Sequence, residues 1–280
     1  MDHYRKGGDS LQGRYHFLRL HPFSIYEIQS SFPQGNMSID DLFMFGGFPE
    51  PLLARDQIQW RRWQNERMTR VIKEDVTSLE NVREISQLEI LVELLKVRVG
   101  SVLSINNLRE ELVCAHESVE RWVSILENLY FCFRIAPFGG SALKASKKEK
   151  KLYLWDWSLV PFKQDKINKG ARFENLVASN LLKYCHFQED TLGFKMELRF
   201  FRDKEKREVD FIVLKEGEPV FAVECKTGED SLSKNINYLA DRSQIPIFYQ
   251  VHLGNLDVTS SDLKKRILPF EKFCMEVLKV

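Results

Sequence analysis

Apolar positions recur at helical spacing through the first half of the chain. Over Gln57–Val76, Trp60, Trp63, Arg67, Val71 and Val76 lie among many charges, as on a long amphipathic helix. Leu88, Leu91, Val92, Leu94 and Leu95 give Ile85–Arg98 a second apolar face. Ser104-Ile105-Asn106 caps a helix running to about Val113, and His116-Glu117-Ser118 opens another through Leu129. The pattern then changes to strands at Tyr130–Ile135 and Leu152–Trp155, separated by Gly139-Gly140 and a lysine-rich loop. Three helices followed by a two-stranded hairpin outline a winged helix.

The flanking regions read differently. Tyr15–Leu20 is strand-like and stops at Pro22, Ser30–Ser38 is a loop, and Gly46-Gly47-Phe48-Pro49-Glu50-Pro51 reads as a break in both helix and ladder. Towards the C-terminus a helix over Ala171–Tyr184 precedes strands Phe194–Phe201, Val209–Leu214, Val220–Cys225 and Ile247–Val251, with a helix near Ser233–Leu239. That rhythm describes an α/β sheet domain containing an antiparallel hairpin. The expected class is α+β or α/β, in three parts: residues 1–40, a helical winged-helix-like region 41–160, and a sheet domain 161–280, with the last boundary near Pro161–Gly170.

Composition narrows the functions. Lys and Arg number 41 against 40 Asp and Glu, a net charge of +1, so nucleic acid cannot be held by bulk charge and any basic surface is local. No apolar run approaches the ~20 residues that cross a bilayer, and the charged start Met1–Lys6 carries no signal-peptide core. The five cysteines, Cys114, Cys132, Cys185, Cys225 and Cys274, are dispersed without a Cys-x-x-Cys pair, which supports neither a disulfide framework nor structural zinc and points to the cytoplasm.

One constellation carries chemistry. Glu208-Val209-Asp210-Phe211-Ile212-Val213, the turn Lys215–Pro219, and Val220–Lys226 read as a hairpin. Alternation places Glu224 and Lys226 on one face and Val223 and Cys225 on the other. Asp210 joins Glu224 and Lys226 if the register allows. Two carboxylates and a lysine suit metal-dependent phosphodiester hydrolysis, with Asp210 and Glu224 holding Mg²⁺ or Mn²⁺, aided by the Cys225 carbonyl, and Lys226 adding positive charge. Glu174, on the preceding helix, is a further catalytic or ligand candidate. The same alternation equally describes a half-exposed strand with a solvated face.

The order of helix with Glu174, hairpin with Asp210, and Glu224-Cys225-Lys226 fourteen positions after Asp210 resembles the restriction-endonuclease-like (Asp…Glu-x-Lys) nuclease superfamily. The resemblance extends along the chain. Tyr4–Tyr15 and Leu20-His21-Pro22-Phe23-Ser24 look like the end of a bacterial or archaeal AAA-type ATPase module. Phe45–Pro49, Lys151–Asp156, Gly170–Asn175 and Glu208–Phe211 resemble the domain of unknown function that follows it in that family. No Gly-x-x-x-x-Gly-Lys-Ser/Thr P-loop is present, so the resemblance implies a truncated or split member that does not hydrolyse ATP alone. Arg5, Arg14 and Arg19 are either remnants of an ATPase partner surface or ordinary surface charges.

Two charged segments bear on nucleic acid. The last helix of the triplet carries Glu117, Glu120 and Glu127 against Arg121, which disfavours major-groove reading. The hairpin loop instead concentrates Lys144, Lys147, Lys148, Lys150 and Lys151 around the single acid Glu149, as a phosphate-backbone contact or a solvated wing tip. Arg202–Glu208 reads as an exposed turn. The expected function is nucleic-acid binding or Mg²⁺-dependent cleavage. Its rival is a non-catalytic DNA- or protein-interaction module, whose partner would be a separate ATPase module or other protein.

Overall fold

A computed structural model describes residues 16–31, 37–70, 85–139, 149–161, 166–228 and 231–280. Helices α1 (Ile25–Ser31), α2 (Ile39–Phe45), α3 (Pro49–Ala54) and α4 (Gln57–Arg70) open the fold. Ser38 starts α2 through a capping box with Asp41, each side chain accepting from the other's backbone N–H. The expected break at Gly46–Pro51 is only partly one. Pro49 occupies the first turn of α3, where its missing N–H has no helical partner to lose. The expected strand over 15–20 is not formed across 16–20, which joins no ladder among the described residues. Arg19 is instead held by Glu189 and Asp190, each at 2.6 Å.

Helices α5 (Ile85–Lys96), α6 (Ile105–Leu112) and α7 (His116–Asn128) follow with the expected spacing. Ser104 caps α6 by accepting from the Asn107 N–H. Leu88, Leu91, Val92 and Leu95 of α5 face Leu108, Val119, Trp122 and Leu126 in one core. Much of the acidity of α7 is structural, since Glu120 and Glu127 bind Arg134 at 3.0 and 2.8 Å.

The strands are β1 (Cys132–Pro137), β2 (Lys151–Leu154), β3 (Met196–Arg202), β4 (Glu208–Lys215), β5 (Glu218–Cys225), β6 (Phe248–His252), β7 (Val258–Thr259) and β8 (Lys265–Pro269). They form one mixed sheet in the order β2-β1-β3-β4-β5-β6-β8-β7. The fold class is therefore the expected one, a helical N-terminal region followed by an α/β sheet.

The hairpin β1–β2 is not a detached wing. It enters the large sheet because β1 runs parallel to β3 through Ala136↔Arg199 and Pro137↔Phe200. Its other edge is also fixed, with Gly100 N–H donating to Leu152 and Leu103 N–H to Lys150. β2 thereby carries its side chains to the sheet hairpin β4–β5.

Helix α8 (Lys166–Leu192) is longer than its apolar stretch implied and packs Phe173, Leu176, Val177 and Leu181 on the sheet. Short helices α9 (Lys234–Ala240) and α10 (Phe270–Phe273) complete the fold. α9 covers the opposite face with Ile236 and Leu239 against Val209, Ile212 and Ala222. Among the described residues no helix is long and apolar enough to cross a membrane. All five cysteines are free thiols, with Cys132, Cys185 and Cys274 buried.

Candidate functional site

Hairpin β4–β5 is antiparallel with Phe211 opposite Val223, and both pack into the main core. The next step along the ladder sets Asp210 beside the end of β5, where its Oδ2 accepts the Cys225 N–H at 2.8 Å. Cys225 thus serves Asp210 through its amide. Glu224 and Lys226 share a face as alternation requires, and Lys226 Nζ donates to Glu224 Oε1 at 2.9 Å. Glu224 is only 4% exposed, its Oε2 makes no close hydrogen bond among the described residues, and Ser233 lies near enough to favour its charged form.

Glu174 projects from α8 into the same place. Its Oε1 accepts the Tyr153 hydroxyl at 2.7 Å and Lys151 Nζ at 3.2 Å. The Lys151 ammonium also pairs with Glu208 and lies 3.7 Å from Asp210 Oδ1. Glu174, Asp210, Glu224 and Lys226 therefore converge on one region of the fold. Gly100 closes one side of it: a Cβ there would stand 3.2 to 3.3 Å from the Glu174 carboxylate, at a backbone φ of +75°.

The electrostatics follow from burial. Glu174 is pushed up to about 7, first by loss of hydration and then by the Asp210 charge, against the pull of Lys151. Glu224 is likewise pushed up to about 7 by burial and Asp210, opposed by Lys226. Burial works against the Lys151 ammonium, but Glu174, Asp210 and Glu208 together outweigh it and raise its pKa. Burial raises the Tyr153 hydroxyl well above its usual range, so it is a proton donor here.

Lys151 is a correction. It was expected on a solvent-facing lysine loop as a phosphate contact, but it is 1% exposed and faces carboxylates. The loop reading stopped one residue too late, because the strand begins at Lys151. Lys150 is half-buried, and its carbonyl accepts the Leu103 N–H. Lys144, Lys147 and Lys148 lie outside the described residues, as do Arg5 and Arg14. Tyr153, Glu208 and Gly100 were missed as site residues, and Lys151 was assigned to the wrong surface. The strand alternation of Lys151 and Tyr153 was the available signal.

The other motif segments build the support. Asp156 is fully buried and accepts from the Ser158 hydroxyl at 2.6 Å, with Arg67 at 3.4 Å. Arg172 donates to the Ser158 and Val160 carbonyls, both at 2.8 Å. Asn175 clasps both backbone groups of Leu154, accepting its N–H at 2.8 Å and donating to its carbonyl at 2.7 Å.

Comparison with known proteins is consistent with two segments. The model of a Domain of unknown function (DUF8612) matches residues 36–167. A second Domain of unknown function (DUF4143) matches residues 169–273. The Uncharacterized protein MJ1544 of Methanocaldococcus jannaschii is 23% identical over 231 residues, covering 79% of this chain and 49% of that protein. The chain thus spans about half the length of this curated relative. No solved structure matches.

Proposed function

We propose that this chain binds and processes nucleic acid, with Mg²⁺- or Mn²⁺-dependent phosphodiester hydrolysis as its chemistry. What carries the reading is the meeting of Glu174, Asp210, Glu224 and Lys226, with a buried Glu224 oxygen that makes no close hydrogen bond among the described residues. Their hard oxygen donors suit Mg²⁺ or Mn²⁺. Among the described residues no group of three or more His, Cys, Asp or Glu is arranged to hold a metal. Mg²⁺ commonly needs only one or two carboxylates, with water and substrate phosphate completing its shell. Asp210 and Glu224 would be those two.

Such an ion would supply charge stabilisation at the phosphate and a more acidic attacking water. The chain's own groups do the rest. Lys226 orients Glu224 and offers its ammonium to a phosphate oxygen. Glu174, close to half-ionised at neutral pH, holds or releases a proton in the working range. Cys225 N–H keeps the Asp210 carboxylate turned to the site.

A second reading has its own support. Lys151 already pairs with three of the carboxylates, as it would in a non-catalytic module that contacts DNA or a protein. In that reading the partner is an AAA-type ATPase module on a longer or separate chain, and the present chain hydrolyses no ATP.

Incubating the protein with linear duplex, junction and single-stranded DNA in Mg²⁺ or Mn²⁺, beside Lys226→Ala, tests the choice. Cleavage lost in the variant supports the hydrolase. Absence of cleavage on every substrate, with no Mn²⁺ binding sensitive to Asp210→Asn, favours the interaction module.

A further inference from the structure

A cavity of about 560 Å³ lies where residues 20–23 cross the helical region, and none of the acidic residues described above lines it. Its walls include Phe23, Phe48 at the start of α3, Leu129 and Tyr130 after α7, Trp155 after β2, and Arg67 of α4. That volume is within the roughly 300–1,000 Å³ typical of small-molecule sites. The walls are fixed before any ligand arrives. Phe23 N–H donates to the Gly47 carbonyl at 2.7 Å, Lys183 Nζ donates to the Pro22 carbonyl at 3.0 Å, and His21 is hydrogen-bonded to His186 at 2.9 Å. His21 and Tyr130 pack their rings on Trp155, with centroids 4.8 and 5.2 Å apart. Tyr130 stands there at a backbone φ of +55°, which a bulky side chain adopts at a cost.

Arg67 is the one permanent charge in this lining. Aromatic rings hold its guanidinium, 4.0 Å from the Phe48 centroid and 5.3 Å from that of Trp63. Its N–H groups are less well served. Among the described residues they make two hydrogen bonds, to Asp156 Oδ2 and the Tyr130 carbonyl, each 3.4 Å long. A charge-assisted bond of this kind normally closes to about 2.7–2.9 Å. The other Asp156 oxygen is taken by the Ser158 N–H and hydroxyl, at 3.0 and 2.6 Å. The guanidinium therefore keeps donors to spare, and the Arg67 side chain is still 17% exposed. Trp155 adds an indole N–H that no described group accepts. Aromatic walls around a single cation suit a flat apolar body carrying one anionic group.

We propose that this cavity binds a small organic anion with an aromatic body, its carboxylate, sulfonate or phosphate group paired with Arg67. The body is taken up among Phe48, Tyr130 and Trp155. The site goes beyond the phosphodiester reading and does not depend on it.

Two dyes of one shape separate body from charge: anilinonaphthalene sulfonate, and phenylnaphthylamine, which lacks the sulfonate. Each is titrated into the full chain and followed by dye fluorescence and tryptophan quenching. Both should saturate a single site. Arg67→Met should weaken the sulfonate about tenfold or more and leave phenylnaphthylamine near the parent's affinity. A folded Arg67→Met that binds the two dyes in the parent's ratio overturns the proposal, as does a parent that saturates with neither.

If Arg67→Met fails to fold because buried Asp156 loses its cation, Leu20 decides. It lines the cavity and is 99% exposed, so replacing it costs little stability. Leu20→Lys should tighten the sulfonate and Leu20→Glu weaken it, with phenylnaphthylamine indifferent to both. Sulfonate affinity blind to these two charges puts the dye elsewhere and overturns the proposal.

Discussion

The Asp210 carboxylate is fastened to the neighbouring strand by the Cys225 amide, whose N–H lies 2.8 Å from Oδ2. The bond spends one oxygen on the backbone and fixes where the other points. It separates two functions of one side chain, and substitution can separate them too. Asp210→Asn retains an oxygen acceptor for the amide but removes the charge. Asp210→Ala removes both and leaves the N–H without its partner, a loss of about 1–3 kcal/mol. Urea unfolding should place Asp210→Asn near the parent and Asp210→Ala clearly below it, while both lose any metal-dependent cleavage.

The buried acids set a pH dependence with an unusual sign. Glu174 and Glu224 are pushed up from 4.5 to about 7, by burial first and Asp210 second. Between those values the folded chain keeps protons that the unfolded chain has released. Their contribution to stability therefore falls as pH rises through this window and levels off above it. His21 and His186 act oppositely, lowered to about 3 and about 4 by burial. The difference between the parent and Glu224→Gln isolates one acid. Chemical denaturation in chelator from pH 5 to 8 should show the variant gaining on the parent by roughly 1–3 kcal/mol. A difference independent of pH would contradict the account.

Gly100 has two reasons to be glycine. Its φ of +75° is a conformation side chains adopt at a cost, and a Cβ would press on the Glu174 carboxylate at 3.2 to 3.3 Å. Gly100→Ala should lower stability by about 1–2 kcal/mol. If the chain cleaves nucleic acid as proposed, Gly100→Ala should also weaken that cleavage by displacing Glu174, whereas Gly217→Ala, also at positive φ but with open space around it, should lose stability alone. Paired urea unfolding and cleavage assays compare the two.

How far the sequence could be read divides along a physical line. Local signals were sufficient where one element determined its own state. Ser104 announced the start of α6, and alternation put Glu224 with Lys226. The Asp…Glu-x-Lys order also pointed to Glu174, Asp210 and Glu224, though not to Glu208, which joins them at Lys151. Failures came where a residue's role is set by a distant segment. Lys151 sat next to a lysine-rich loop in sequence, yet its environment is supplied by α8 and β4. Pro49 looked like a break because its use as a helix start depends on what precedes it. β8 was missed because its core contribution is small: it buries Leu268 among half-exposed neighbours. The pairing of β1 with β3 had no local signature at all.

Asn175 offers the most direct test of how scaffold and site are joined. It lies beside Glu174 on α8, is fully buried, and holds both the N–H and the carbonyl of Leu154 on β2. It acts as a strand partner at the end of β2, so α8 and the strand bearing Lys151 and Tyr153 keep a fixed spacing. Asn175→Ala leaves two buried backbone groups without that partner, a loss of about 2–3 kcal/mol. Asn175→Asp keeps the acceptor for the N–H but brings a buried charge up to the Leu154 carbonyl, so it should be no better tolerated at neutral pH. The distinguishing readout is Tyr153, whose hydroxyl is held by Glu174 at 2.7 Å. In folded Asn175→Ala, the ultraviolet titration of tyrosines should show one group returning towards the ordinary range. If that titration is unchanged while stability falls, α8 and β2 hold their spacing without Asn175, and the side chain is only filling the core.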